Sequence, residues 1–154
     1  GNNMANSLIV GGVKVGMNVA VATPDGYKPD GAVLEFTKGY GDKFALEIDP
    51  FMAASGADIL ITDTWTSMGE EAEKEERKKI FKDYQINRQL LAAANAGAMV
   101  QHCLPAYRGQ EITEEVFEEH ADEIFNEAEN RLHAQKALLT WLAGKARGDE
   151  SLLA

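Results

Sequence analysis

The chain has one cysteine among 154 residues, Cys103, and this scarcity limits its compartment and its chemistry. One thiol cannot close an internal disulfide, so we expect a reducing, cytoplasmic setting. Catalytic zinc usually needs three protein ligands, and Cys103 has only His102 beside it. Neighbours in an extended strand point to opposite faces, and His120 and His133 lie apart on a predicted helix among carboxylates. We therefore expect neither a metal site nor a Cys–His nucleophile pair.

Basic residues are also scarce: 15 Lys and Arg stand against 25 Asp and Glu, for a formal net charge of −10. Proteins that bind nucleic acid or an anionic membrane surface normally carry a basic patch, so we expect neither partner. No apolar run approaches the roughly 20 residues that span a bilayer. The opening GNNMANSLIVGG has no basic leader, and the dinucleotide-binding pattern G-x-G-x-x-G is absent. We expect no signal peptide and no cofactor.

Short apolar runs that alternate with helical patterns fill most of the chain. We predict strands at 17–24, 43–49, 57–65 and 98–103, and helices at 4–13, 88–96 and 113–142. Nearly continuous apolar strands joined by helices are typical of a parallel sheet covered on both faces. The predicted fold is α/β, a three-layer doubly wound parallel sheet of the Rossmann-like kind. In the last helix, the residues predicted on its buried side are Leu132, Leu138, Leu139 and Trp141.

Polar side chains follow two predicted strands where each strand ends. We expect these two strands to be neighbours in the sheet, and ligands of such sheets bind beyond the strand ends. Asp63 follows the strand ADILIT and needs a cationic partner if it is partly buried. Ser67 and the amide of Met68 suit a carboxylate, so an α-amino acid fits; the alternative is that Asp63 and Ser67 only cap the next helix. Cys103 ends the strand AMVQHC, close to Pro105, which favours a site contact over an inert buried thiol.

Four segments in this order, GNNMANS, DTWTSMG, HCLP and EAENR, resemble the ornithine carbamoyltransferase family over nearly the whole chain. The resemblance is to the second half of those enzymes. It implies a single ornithine-binding domain at residues 1–154, without the half that binds carbamoyl phosphate. The implied reaction transfers the carbamoyl group of carbamoyl phosphate to L-ornithine, giving L-citrulline and phosphate. The alternatives are a carbamoyltransferase for putrescine or acetylornithine, and a non-catalytic binding domain of the same fold.

The resemblance also implies roles for individual residues. The implied contacts to ornithine are Asn2, Asn3, Asp63, Ser67 and Met68. The implied contacts to carbamoyl phosphate are Cys103, Leu104 and Arg131. Asp63 and Cys103 are the residues that it implies in catalysis, and the segment of Ser67 and Met68 is a candidate lid.

The resemblance further implies an oligomeric state, a metabolic role and a strand that this chain lacks. The family forms homotrimers and serves arginine biosynthesis, and it needs no metal or cofactor. In the doubly wound order, the first strand would precede Gly1 and lie centrally, between the strands at 17–24 and 57–65. We expect this chain to lack that strand, to be inactive alone, and to pair with another copy or a partner fragment.

Overall fold

The computed structural model of this chain describes residues 1–66, 74–149 and 151. Four strands lie in that part of the chain: β1 (Val19–Ala22), β2 (Phe44–Glu47), β3 (Ile59–Thr62) and β4 (Met99–His102). The α-helices there are α1 (Asn3–Lys14), α2 (Gly31–Thr37), α3 (Pro50–Ala54), α4 (Lys74–Phe81), α5 (Arg88–Leu91), α6 (Glu114–Glu119) and α7 (Ala121–Arg147). Strands and helices alternate, which confirms the predicted α/β class.

The strands pair in parallel, as we predicted from their continuous apolar runs. Each falls inside its predicted range but is only four residues long. β1 pairs with β2, and β3 pairs with β4. The described strands thus form two separate two-stranded sheets, where we predicted a single sheet. One edge of β1 and one edge of β3 have no strand beside them in this part of the chain.

α1 lies close against β1 because a glycine faces the strand. A Cβ atom added to Gly12 would come 2.6 Å from Cγ2 of Val19. The helix begins after Asn2, whose side-chain oxygen accepts a hydrogen bond from the Ala5 amide at 2.9 Å. Its buried residues are Ile9 and Val13. The cap therefore fixes the start of α1, and the glycine sets its distance from the sheet.

The main apolar core lies against β3 and β4. Its buried members are Ala54, Leu60, Ile86, Leu90, Val100, Ile112, Val116, Phe117 and Ile124. They come from both strands, from α3, α5, α6 and α7, and from the segments next to α5 and α6. Burying a large aliphatic or aromatic side chain contributes about 1.5–3 kcal/mol. This core therefore holds in place the two strands whose carboxyl ends carry the candidate residues.

The outer edge of β4 is closed by two glutamates of α7, one helical turn apart. The Val100 amide donates to Oε2 of Glu123 at 2.8 Å. The backbone N–H of His102, two residues further along the same edge, hydrogen-bonds to the Glu127 carboxylate. Carboxylate acceptors thus satisfy amides that a further strand would otherwise take.

The helix predicted at 88–96 is shorter than expected, since α5 ends at Leu91. Propensity predicts that the alanines after it continue the helix. Instead the Asn95 amide donates to the Ala57 carbonyl at 3.0 Å, which ties this segment to the start of β3. A tertiary hydrogen bond has therefore overridden local propensity here.

The prediction that the last helix buries one apolar side over its length is wrong. Leu132, Leu138, Leu139 and Trp141 are exposed by 66%, 56%, 67% and 44%. α7 packs on β4 and α6 through its first turns, and every residue of 128–142 is exposed. At 1.5 Å per residue the helix is about 40 Å long, so most of it extends beyond the core. Within the described residues, no helix combines the length and apolar character that a membrane crossing requires.

Candidate active site

The pairing of β3 with β4 brings Asp63 and Cys103 together. Thr62 lies opposite His102 in the parallel register, so the next residue of each strand leaves the sheet at the same point. The Cys103 thiol donates a hydrogen bond to Oδ1 of Asp63 at 3.0 Å. The predicted neighbourhood of the two strands is confirmed, and both residues are half-buried at their carboxyl ends.

Asp63 also receives two amide donors. Nδ2 of Asn2 donates to Oδ2 at 2.7 Å, and the Thr64 backbone N–H donates to Oδ1 at 2.7 Å. Because Asn2 also caps α1, the helix start and the end of β3 are held by one side chain. We predicted a cationic partner for Asp63, and the donors described on it are all uncharged.

The environment of Cys103 keeps its thiol protonated. Burial raises the pKa of Cys103 to about 12, and the hydrogen bond to Asp63 and the charges of Asp63 and Glu127 act in the same direction. A nucleophilic cysteine needs the opposite, a positive neighbour that lowers its pKa. Cys103 is therefore a hydrogen-bond donor at neutral pH, as the site-contact interpretation requires.

A buried His–Glu pair holds the turn that follows β4. His102 and Glu111 are both fully buried, with Nε2 of His102 3.1 Å from Oε1 of Glu111. The Leu104 amide donates to Nδ1 of His102 at 2.9 Å, so the ring carries its proton on Nε2. Leu104 has φ of +54°, a left-handed conformation that costs a non-glycine residue about 1–3 kcal/mol. Such strain is found mainly where a site fixes the backbone.

Glu111 and Glu127 were missed by the sequence predictions. Glu111 stands beside Ile112 at a fully buried position, and no local pattern marks a glutamate as buried. Glu127 lies within the segment EAENR, which was a signal that could have found it. Burial raises the pKa of Glu127, and one oxygen of each carboxylate is buried without a hydrogen-bond partner in the described part of the chain.

Three possible metal ligands lie closer together than we predicted. Ligand atoms of Asp63, His102 and Cys103 are all within 4.8 Å of one another. We predicted His102 and Cys103 on opposite faces of a strand, but β4 ends at His102, so Cys103 does not follow the strand alternation. Both ring nitrogens of His102 are already engaged, by Leu104 and Glu111. A metal ion would have to displace one of these hydrogen bonds.

The other predicted site residues are spread around this cluster. Asn3 is exposed in the first turn of α1, beside Asn2. Leu104 is half-buried in the turn after Cys103, and Arg131 is exposed on α7, one helical turn beyond Glu127. Ser67 and Met68 lie outside the described residues.

The cluster opens into a cleft of about 1080 Å³ between the two sheets. The cleft wall includes Asn2, Asp63 and Cys103, as well as α1, β1 and β3. Trp65 stacks on Phe81, with ring centroids 6.1 Å apart, and both line the cleft. The cleft thus offers aromatic rings as well as the Asp63 carboxylate to a small molecule.

Comparison with known proteins gives one consistent family. Residues 1–142 match the model of the Asp/Orn-binding domain of aspartate/ornithine carbamoyltransferases. The ornithine carbamoyltransferase of Bifidobacterium longum subsp. infantis is 54% identical over 157 aligned residues, which cover 99% of this chain and 49% of that protein. The crystal structure of the anabolic enzyme of Campylobacter jejuni has a TM-score of 0.88 at 44% identity, covering 94% of this chain and 49% of that one. The Pyrococcus furiosus structure has a TM-score of 0.81 at 47% identity, covering 91% and 46%. The chain spans about half the length of the curated relatives that it matches.

Proposed function

This chain belongs to the aspartate/ornithine carbamoyltransferase family, and we propose that it is the ornithine-binding half of an ornithine carbamoyltransferase. The observation that carries the proposal is the cluster of Asn2, Asp63 and Cys103 at the adjacent ends of two parallel strands. It lies where a doubly wound sheet binds its ligand. The resemblance alone does not require these three side chains to contact one another, so their contact is independent support.

The carboxylate of Asp63 suits the amino-acid end of ornithine. Asp63 has only uncharged donors in its described contacts, so a substrate ammonium would supply the charge complement. Asn3 in the first turn of α1, together with Ser67 and the Met68 amide, would bind the α-carboxylate and α-amino groups. A substrate lacking either group, such as putrescine, would leave part of this arrangement unsatisfied.

The reaction forms one bond and breaks one. The neutral δ-amine of ornithine attacks the carbonyl carbon of carbamoyl phosphate, the bond from that carbon to the phosphate oxygen breaks, and phosphate leaves. The amine loses one proton in forming citrulline, and the departing phosphate takes up that proton. Cys103 would contact the carbamoyl end through its protonated thiol, beside the backbone of Leu104, and Arg131 would reach the phosphate. Orientation of the amine would supply most of the acceleration.

A second domain would complete the site. The exposed apolar side chains of α7 offer it a docking surface, and Arg131 lies on the same stretch of helix. We propose that the two sheets belong to one Rossmann-like doubly wound sheet with a further central strand. The homotrimer, the cytoplasmic setting and the role in arginine biosynthesis belong to the same proposal and rest on the resemblance.

The test is citrulline formation from ornithine and carbamoyl phosphate. The chain is assayed alone, and then with a separately produced carbamoyl-phosphate-binding half from the Bifidobacterium longum relative. We expect product only in the mixture. Asp63→Ala should lower its rate by 100-fold or more, while Asp83→Ala, an exposed aspartate in a 3-10 turn, should leave it unchanged.

Two outcomes would contradict the proposal. Absence of citrulline from a mixture that forms a folded complex would favour the non-catalytic binding domain. Faster turnover of putrescine or acetylornithine than of ornithine would reassign the substrate.

A further inference from the structure

The helix α4 lies beside the candidate active site, yet it is not held there by apolar burial. It is eight residues long, and none of them is buried. Its sequence, KEERKKIF, has apolar residues only at its carboxyl end. Helices in proteins are ordinarily stabilised by packing of an apolar face against the core. Contacts of another kind therefore hold α4 in its place.

Three side chains on one side of α4 contact the segments that follow β3 and β4. Lys74, Arg77 and Phe81 are three and four residues apart, so they lie on the same side of the helix. Phe81 stacks on Trp65, and Nη1 of Arg77 donates to the Trp65 carbonyl at 3.3 Å. Nζ of Lys74 lies 5.0 Å from the centroid of the Tyr107 ring, which is a cation–π distance. α4 thus joins the segment after β3 to the segment after β4.

The Tyr107 ring belongs to a fixed part of the site. The backbone N–H of Tyr107 donates to Oε1 of Glu111 at 2.6 Å, and the same oxygen lies 3.1 Å from Nε2 of His102. His102 and Glu111 are both fully buried. Tyr107 is therefore held from inside the fold, and Lys74 contacts a ring whose position does not depend on α4.

These contacts form a closed path around the candidate site. Trp65 lies two residues after Asp63 and connects the end of β3 to α4. Lys74 connects α4 to Tyr107 in the segment after β4. That segment begins at Cys103, whose thiol donates to Asp63 at 3.0 Å. The contact of Lys74 with Tyr107 is the described link that closes the path.

We propose that Lys74 and Tyr107 are positioning residues of the candidate active site. Their cation–π contact holds α4 against the segment after β4, and α4 in turn fixes Trp65 in the cleft wall. Neither Lys74 nor Tyr107 lines the cleft, so both act through Trp65 and not by touching a ligand. Their effect on ornithine rests on the proposed function, whereas their effect on α4 and Trp65 does not.

A double-mutant cycle measures the contact without substrate. Lys74→Met removes the charge and keeps the apolar stem, Tyr107→Leu removes the ring, and a third variant combines both. Hydrogen exchange by NMR follows the amides of 78–81, whose helical hydrogen bonds reach back to 74–77. We expect exchange about two- to fivefold faster in each single variant, with no further increase in the double variant. Lys74→Arg and Tyr107→Phe keep the cation and the ring, and they should match the parent chain.

Trp65 reports whether the cleft wall depends on α4. The chain has two tryptophans, so the measurement uses a Trp141→Phe background. Quenching of Trp65 fluorescence by acrylamide should rise about twofold in Lys74→Met and in Tyr107→Leu. Lys79→Met removes an exposed lysine of the same helix and is the matched control. It should change neither exchange nor quenching.

Kinetics separates positioning from a merely structural role. In the mixture with the carbamoyl-phosphate-binding half, Lys74→Met and Tyr107→Leu should raise KM for ornithine about two- to fivefold and leave kcat unchanged. The contact of Asp63 with Cys103 does not involve α4, so the chemical step should be retained. Lys74→Arg should restore the parent KM.

Three results would overturn these roles. Additive or absent effects on exchange would mean that Lys74 and Tyr107 do not interact. Faster exchange with unchanged quenching would mean that α4 does not fix Trp65. Citrulline formation with unchanged KM would mean that the cleft wall does not position ornithine. If the parent mixture forms no citrulline, the proposed function fails, while exchange and quenching still decide whether the two residues hold the cleft wall.

Discussion

At the residue scale, Asp63 joins three segments that are far apart in sequence. It accepts hydrogen bonds from Asn2 before α1 and from Cys103 after β4, and it lies itself at the end of β3. Its negative charge therefore acts directly on the only thiol of the chain. The effect of this charge on the reactivity of the thiol can be measured without substrate.

Asp63→Asn should make Cys103 more reactive toward the thiol reagent DTNB. The wild-type thiol, with its pKa raised to about 12 from an ordinary value of 9.0, should react at least tenfold more slowly at pH 8 than free cysteine. Removing a negative neighbour favours the thiolate, so the pKa falls and the rate rises several-fold. The measurement is the rate of DTNB reaction from pH 7 to 10. Glu127→Gln is the matched control and should have a smaller effect, since its charge contributes less; a larger effect than Asp63→Asn would contradict this account.

At the scale of single elements, α1 offers a pair of adjacent glycines with opposite surroundings. A Cβ at Gly12 meets Val19 at 2.6 Å, whereas one at Gly11 has nothing within 4 Å. Alanine favours a helix over glycine by about 1 kcal/mol at either position. Only packing against β1 distinguishes the two.

Gly11→Ala should raise the free energy of unfolding by up to about 1 kcal/mol, and Gly12→Ala should lower it by about 1–2 kcal/mol. The β-branched Val19 has few alternative rotamers, so β1 or α1 must shift to admit the methyl group. Urea denaturation of both variants gives the comparison. Stabilisation by both substitutions would mean that α1 does not approach β1 this closely.

A second element-scale prediction concerns the edge of β4. Glu123→Ala removes the acceptor of the buried Val100 amide and of Nδ1 of His120, and it should cost about 1–3 kcal/mol of stability. Glu129→Ala, on the same helix but exposed and with His133 as its described partner, should change stability by less than about 0.5 kcal/mol. Equal urea midpoints for the two variants would remove the role assigned to Glu123.

The same elements show which parts of the fold and of the candidate site could be predicted from the sequence alone. Apolar runs ending in polar residues predicted all four strands, and the strand-end rule predicted that Asp63 and Cys103 meet. A helix pattern shows which side chains are apolar but not whether anything packs on them, so the exposure of Leu139 could not be foreseen. The burial of Glu111 depends on His102, nine positions earlier, and the strand pairing depends on which strands lie side by side. Both are tertiary facts that no local pattern encodes.

At the scale of the whole molecule, one compact core carries a long exposed helix. Leu132 and Leu139 are seven residues apart and so lie on the same side of α7, beyond the last turn that touches β4. Because the described part of the chain does not bury them, we expect them to contribute to association more than to folding.

The double variant Leu132→Glu, Leu139→Glu should therefore have a free energy of unfolding within about 0.5 kcal/mol of that of the parent chain. It should nevertheless bind the carbamoyl-phosphate-binding half at least tenfold more weakly, because two charges would enter an apolar interface. Ala137→Glu with Thr140→Glu adds the same charge off the leucine side and is the control. Binding is measured by titration calorimetry and stability by urea unfolding; a large loss of stability in the leucine variant would mean that the core already covers α7.

The sequence separation of β3 and β4 determines how long β3 lacks its pairing strand during translation. β3 is translated forty residues before β4, its only pairing partner in the described chain, as the register of Ile59 with Met99 requires. At roughly 5–20 residues translated per second, about 2–8 s pass between the synthesis of β3 and the synthesis of β4. During that interval the apolar residues Ile59, Leu60 and Ile61 lack their pairing strand, and exposed apolar strands of this kind are prone to aggregate. Yield in the cell should therefore respond to translation speed between the codons for β3 and β4.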